Sequence, residues 1–134
     1  MQVRNSGTVD ANHVELQFDN AVTDNNAPAA MAMDKVIEIT ALGWDSNGDG
    51  VIDTNLLGLV TDYNLNGIID LNDLQIRNAD GAVDFDNVAF NGTQGNDHLL
   101  RIAGNYSPTL MDNTHIGDTV NTTLTFTMNQ DASQ

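Results

Sequence analysis

Several short stretches of this chain alternate polar and apolar residues, and each predicts a strand with one buried face. Residues 13–18 (His13, Val14, Glu15, Leu16, Gln17, Phe18) are the first, set between turn-forming Asn5, Ser6 and Gly7 and the Asp19–Asn20 pair. Here His13 and Glu15 are expected on an exposed polar face. Residues 36–42 predict a second strand leading to Trp44, and residues 98–105 a third. The most regular pattern spans residues 121–129, where Leu124, Phe126 and Met128 share one face among threonines. Thr-rich alternation of this kind suits antiparallel sheets with one solvated face. Helical signals are short: residues 28–35 with Pro28 in the first turn, one or two turns within 55–61, and an exit helix over 71–77. The expected class is therefore all-β, a single antiparallel β-sandwich domain over residues 1–134, interrupted by a short-helix insertion at about 45–77.

That insertion carries the clearest chemistry. Two acidic loops begin at Asp45 and Asp62, 17 positions apart, and both place oxygen-bearing side chains at loop positions 1, 3, 5 and 9 around a glycine at position 6. Calcium takes six to eight oxygen ligands, and a glycine there lets the backbone turn sharply around the ion. In the first loop the candidate ligands are Asp45, Asn47, Asp49, the Val51 carbonyl and Asp53. In the second they are Asp62, Asn64, Asn66, the Ile68 carbonyl, Asp70 and, at position 12, Asp73. The first loop has Leu56 at position 12, so its site must borrow a ligand or bind more weakly. Two Ca²⁺ ions are expected, held in an EF-hand-like insertion. The short offset leaves no room for a full helix between the loops, which favours structural ions over a sensor pair that opens a groove.

Composition sharpens this picture. The net charge is -15, from 17 Asp and 2 Glu against 4 Lys and Arg. Asp favours turns and metal loops whereas Glu and Lys favour helices, so the charge belongs to loops. Nucleic acid and anionic membranes are poor partners for such a surface. A hydrophobic content of 40% is enough for a core, and the longest apolar runs fall short of a membrane span. The chain has no cysteine, so there is no disulfide framework. Loop calcium sites and the Asn-x-Ser/Thr sequons at Asn91, Asn105 and Asn121 lean towards an extracellular, cell-surface location with possible N-glycans.

Other signals are weaker. Asp80, Asp84 and Asp86 form a third acidic cluster without full ligand spacing. Residues 92–105 resemble one glycine-rich repeat of a calcium roll, but one repeat cannot build a roll. His13, His98 and His115 are scattered, with no zinc spacing. No nucleophile elbow, phosphate loop or dinucleotide fingerprint occurs, and no enzymatic activity is expected.

At the N-terminus a strand from Val3 leads through a turn at Asn5 to Gly7 into a strand to Phe18; residues 33–40 form a helix-to-strand step; residues 117–130 give a closing Gly-Asp segment, a Phe-containing strand and Gln130. In these patterns both ends of the chain resemble the TasA/camelysin family of secreted fibre-forming proteins, which includes archaeal bundling-pilus subunits. The resemblance implies a jelly-roll sandwich that polymerises extracellularly into biofilm matrix, with an N-terminal strand donated into a neighbour's sheet. Met1 falls within what the resemblance makes an early strand, so the donor segment it implies is expected to be missing or removed, and donor exchange is unsupported by these residues. The twin loops are a departure from the family pattern, and no metal-hydrolysis motif supports carrying over the protease activity ascribed to camelysins.

The expected function is thus a secreted, calcium-stabilised subunit of extracellular filaments, with itself as partner. The alternative is a calcium-dependent binding module, carbohydrate-adhesive or dockerin-like; Leu71, Asn72, Asp73 and Leu74 after the second loop echo a dockerin repeat.

Overall fold

A computed structural model of the chain describes residues 1–25, 31–79, 85, 88–92, 95–110 and 112–130. The fold is all-β, with two antiparallel sheets. The strands are β1 (Gln2–Arg4), β2 (Ala11–Thr23), β3 (Ile37–Trp44), β4 (Thr54–Asn55), β5 (Val88–Gly92), β6 (Asp97–Tyr106) and β7 (Thr119–Asn129). One sheet has the order β1-β6-β3-β4 and the other β5-β2-β7. One α-helix among the described residues, α1 (Leu71–Ala79), follows the second acidic loop as its sequence predicts. Of the helix expected at 28–35, a 3-10 turn at Met33–Lys35 is described; residues 26–30 and the Asp80, Asp84 and Asp86 cluster lie outside the described residues.

The alternation in β2 works as read. Val14, Leu16 and Phe18 are fully buried while Asn12, Gln17 and Asp19 face water. They meet Ile39, Leu42, Trp44 and Leu100 of the other sheet in a single apolar cluster, so the two sheets enclose one core. Leu56, Val60, Leu71 and Leu74 join that cluster. The segment carrying the two acidic loops is therefore anchored in the core through these four side chains, while Val51 and Leu65 of the loops stand exposed. The turn at Asn5 closes on itself, with Gly7 N–H donating to the Asn5 side-chain oxygen at 2.9 Å. This turn carries the chain from one sheet to the other, because β1 pairs with β6 and β2 pairs with β5 and β7.

One expectation fails on β2. His13 is buried, not on an exposed polar face, and its Nε2 lies 3.6 Å from Glu15 Oε1. Asn129 of β7, directly opposite His13, donates to Glu15 and covers the pair. Strand pairing over a separation of 116 residues supplied the cover, which local alternation does not encode.

Candidate metal centre

Strand β3 carries both acidic loops. The first is the turn of the β3–β4 hairpin: Asp53 N–H donates to the Trp44 carbonyl, and Gly43 and Trp44 pair with Asn55 and Thr54. The second is fixed near the other end of β3, where Ile39 N–H donates to the Ile69 carbonyl at 2.7 Å and Asp70 bridges Glu38. Asn66 adds a bond from its side-chain amide to the Lys35 carbonyl at 2.9 Å. Ile39 and Asp45 are six residues apart along extended chain, roughly 20 Å. The loops are thus separate stations on one strand, not a facing pair.

The loops share one backbone form. Positions 4 and 6 are left-handed in both: Gly48 (φ 76) and Gly50 (φ 85) in the first, Leu65 (φ 59) and Gly67 (φ 91) in the second. They also share three hydrogen bonds. The position-1 carboxylate accepts from the position-6 N–H (Gly50 to Asp45, 2.9 Å; Gly67 to Asp62, 2.8 Å). The position-3 amide oxygen accepts from position 5 (Asp49 to Asn47, 2.9 Å; Asn66 to Asn64, 3.1 Å). The position-5 oxygen accepts from position 7 (Val51 to Asp49, 2.8 Å; Ile68 to Asn66, 3.0 Å). Each of these oxygens has a further lone pair beyond the one the N–H uses. An all-oxygen set with spare acceptor capacity fits a hard cation such as calcium.

The loops diverge at their ends. In the first, Asp53 turns back on its own loop and accepts from Ser46 N–H at 3.0 Å, Ser46 Oγ at 2.9 Å and Thr54 Oγ1 at 2.8 Å. The Ser46 backbone bond, followed by the Thr54 hydroxyl, holds the Asp53 carboxyl below its ordinary range. Position 12, Leu56, is buried in the core and its N–H donates to the Leu42 carbonyl. In the second loop Asp70 and Asp73 are both fully buried and cap α1 reciprocally: Asp73 N–H donates to Asp70 Oδ1 and Asp70 N–H to Asp73 Oδ2, each at 3.0 Å. Asp70 Oδ2 also accepts from the side-chain amides of Asn64 at 2.9 Å and Asn66 at 2.7 Å. Asp73 Oδ1 accepts from Tyr63 N–H at 2.9 Å. Burial raises the Asp73 carboxyl above its ordinary value and the Asp70 charge adds to this, against N–H bonds from Asp70, Tyr63 and Asn64.

Among the described residues no three His, Cys, Asp or Glu side chains are gathered as a metal-holding group. Much of each proposed ligand set is amide or backbone oxygen (Asn47 and Val51; Asn64, Asn66 and Ile68), while Asp53 is turned to the N–H and hydroxyl of Ser46 and the hydroxyl of Thr54, and Asp73 to backbone N–H groups.

His98, a residue with no apparent role in the sequence, supports the first loop. It is fully buried, stacks on Trp44 at 5.6 Å between centroids, touches Phe90 at 4.2 Å, and sets Nδ1 2.8 Å from the Asp45 carbonyl. A carbonyl only accepts, so Nδ1 carries the proton. No local signal marks this role, because 53 residues separate the partners. Of the sequons, Asn105 and Asn121 are exposed strand residues. No helix of the described residues is long and apolar enough to cross a membrane.

Compared with protein-family models, curated proteins and solved structures, the chain matches none.

Proposed function

We propose that this chain is a calcium-stabilised structural subunit, non-enzymatic, that self-associates outside the cell into filaments or matrix. In this proposal the two sheets form a jelly-roll-like sandwich, and residues 45–77 serve as its two-ion stapling segment. The observation that carries it is the duplicated loop: the same left-handed positions and the same three N–H bonds recur around two separate oxygen sets. Asp45, Asn47, Asp49, Val51 and Asp53 would hold one ion; Asp62, Asn64, Asn66, Ile68, Asp70 and Asp73 would hold the other. A bound cation offsets carboxylate repulsion that is otherwise buried beside β3. The second loop is the tighter site, because Asp73 at position 12 can close it where Leu56 cannot.

Self-association is supported by the edge of the second sheet. No described strand covers the outer edge of β7, and this edge runs for 11 residues. Its apolar row of Val120, Leu124, Phe126 and Met128 is only half-buried, although it packs on a core whose β2 side is closed. An open edge of that length takes an added strand, with backbone bonds supplying affinity and the half-buried row supplying register. The resemblance at both chain ends points to the same assembly. Negative-stain electron microscopy of the protein with calcium and then with chelator tests the proposal. Filaments in calcium that shorten or vanish on chelation are expected. Monodisperse particles in both conditions would replace filament assembly with a calcium-dependent binding module.

A further inference from the structure

Leu65 is the most exposed large apolar side chain described, at 86%, and it stands at the tip of the second loop with φ 59. The corresponding position of the first loop is Gly48, which takes the left-handed form without penalty. Leucine does not: its Cβ crowds the following carbonyl oxygen in that region. The only other described non-glycine residue at positive φ is Phe85, whose ring is buried against Phe18 and so is held by the core. Leu65 carries the same kind of strain without burial in return. A strained backbone position that presents an apolar knob to water suggests a contact made with another molecule.

The complementary surface lies on the outer face of the first sheet. Gly43 of β3 has no side chain, which lets Ile52 fold over the strand; a Cβ there would come within 2.6 Å of Ile52 Cγ2. Arg101 of β6, directly opposite Gly43, stands with Ile52 between two adjoining clefts of about 300 Å³ and about 370 Å³. Leu57 lines the first, and Leu99 and Ile102 line the second. Among the described residues the Arg101 guanidinium has no ion pair or hydrogen bond, in a chain with 19 acidic residues and 4 Lys and Arg. Arg4, by contrast, is spent on Asp97 and the Gly95 carbonyl.

We propose that Leu65 of one copy seats in the cleft of Ile52, Leu99 and Ile102 beside Arg101 of a second copy, with the second loop, still net negative when one Ca²⁺ sits on its three Asp, facing that guanidinium. The apolar side chain meets the Ile52, Leu99 and Ile102 side of the groove, and an unpaired cation meets an acidic loop, on a molecule of net charge -15. The knob and the groove are different patches of the chain, so the contact is head-to-tail and propagates unless rotation closes it into a ring. It is separate from strand addition at β7 and rests on the self-association proposed above.

Leu65→Gly and Arg101→Glu test it, by sedimentation velocity over a concentration series in calcium with thermal melting alongside. Leu65→Gly keeps the backbone form of the loop and removes the strained side chain, so its Tm should equal or exceed that of the parent chain. Its self-association should weaken by roughly tenfold or more, the worth of one buried leucine. Arg101→Glu changes an exposed side chain and should weaken association comparably while leaving Tm near the parent value. A parent chain that associates while both variants associate equally well overturns this contact and leaves the filament proposal standing. A parent chain that stays monomeric throughout overturns both.

Discussion

Calcium removal is the most direct perturbation of the proposed centre, and its size follows from the chain. A domain unfolds with about 2.1 cal/mol/K of entropy per residue, or about 280 cal/mol/K over this length, so 1 kcal/mol moves Tm by roughly 3.5 °C. A ligand bound only by the folded state at a hundredfold excess over its Kd stabilises by about 2.7 kcal/mol. One filled loop is therefore worth roughly 9 °C. The second loop should supply most of the shift at low calcium, since Asp73 stands at its closing position and Leu56 of the first loop is locked in the core. The assay is calorimetric or fluorescence melting in millimolar calcium and in excess chelator, for the parent chain and for Asp73→Asn. This substitution also disturbs the cap on α1, because Asp73 accepts from Tyr63, Asn64 and Asp70 N–H groups. Its baseline Tm is expected to drop, so the quantity compared is each protein's own shift between the two conditions. The parent should shift by roughly 9 °C or more and the variant by distinctly less. A parent shift below about 2 °C would refute the claim that these loops bind calcium in the folded state.

Three further outcomes are expected. His98→Ala removes a fully buried ring that stacks on Trp44 and holds the Asp45 carbonyl, and should cost about 3–5 kcal/mol in urea unfolding at fixed calcium; a loss under 1 kcal/mol would show that the ring is not needed there. Gly104→Ala sets a Cβ 2.7 Å from the Glu38 carbonyl oxygen, a backbone atom of the paired strand, and should cost about 1–3 kcal/mol, whereas a neutral result would mean the β3–β6 register yields freely. Asp112 is held below its ordinary carboxylate range by Thr114, whose hydroxyl and N–H both donate to it, and secondarily by His115. A depressed folded-state value means its stabilisation is present above the unfolded value, about 3.9, and fades as pH falls through the lower folded one. Asp112→Ala should accordingly melt below the parent at pH 6 and approach it near pH 2–3. A Tm difference that does not narrow on acidification would refute the ionic origin of that stabilisation.

The local features of this protein were legible in its residues. Alternation marked β2 and β7, since side-chain direction along a strand repeats every two residues whatever lies across from it, while β3 and β6 were legible as short strands without that regularity. The spacing of Asp, Asn and Gly marked both loops and the start of α1, because those turns are closed by bonds spanning seven residues or fewer for the most part. What lies far apart in sequence was decided by packing alone. Alternation says that a strand has a buried face but not which strand will cover it, so the sheet orders, the burial of His13 under Asn129 and the pairing of Gly43 with Arg101 emerge only when two sheets close on one core. Ligand spacing likewise proposes two loops but cannot say that one is the end of a hairpin propped by His98 while the other is tied to the start of the same strand through Lys35, Glu38 and Ile39. Those ties join residues 30 to 53 positions apart, beyond the reach of any local pattern, and they decide where the two oxygen sets stand.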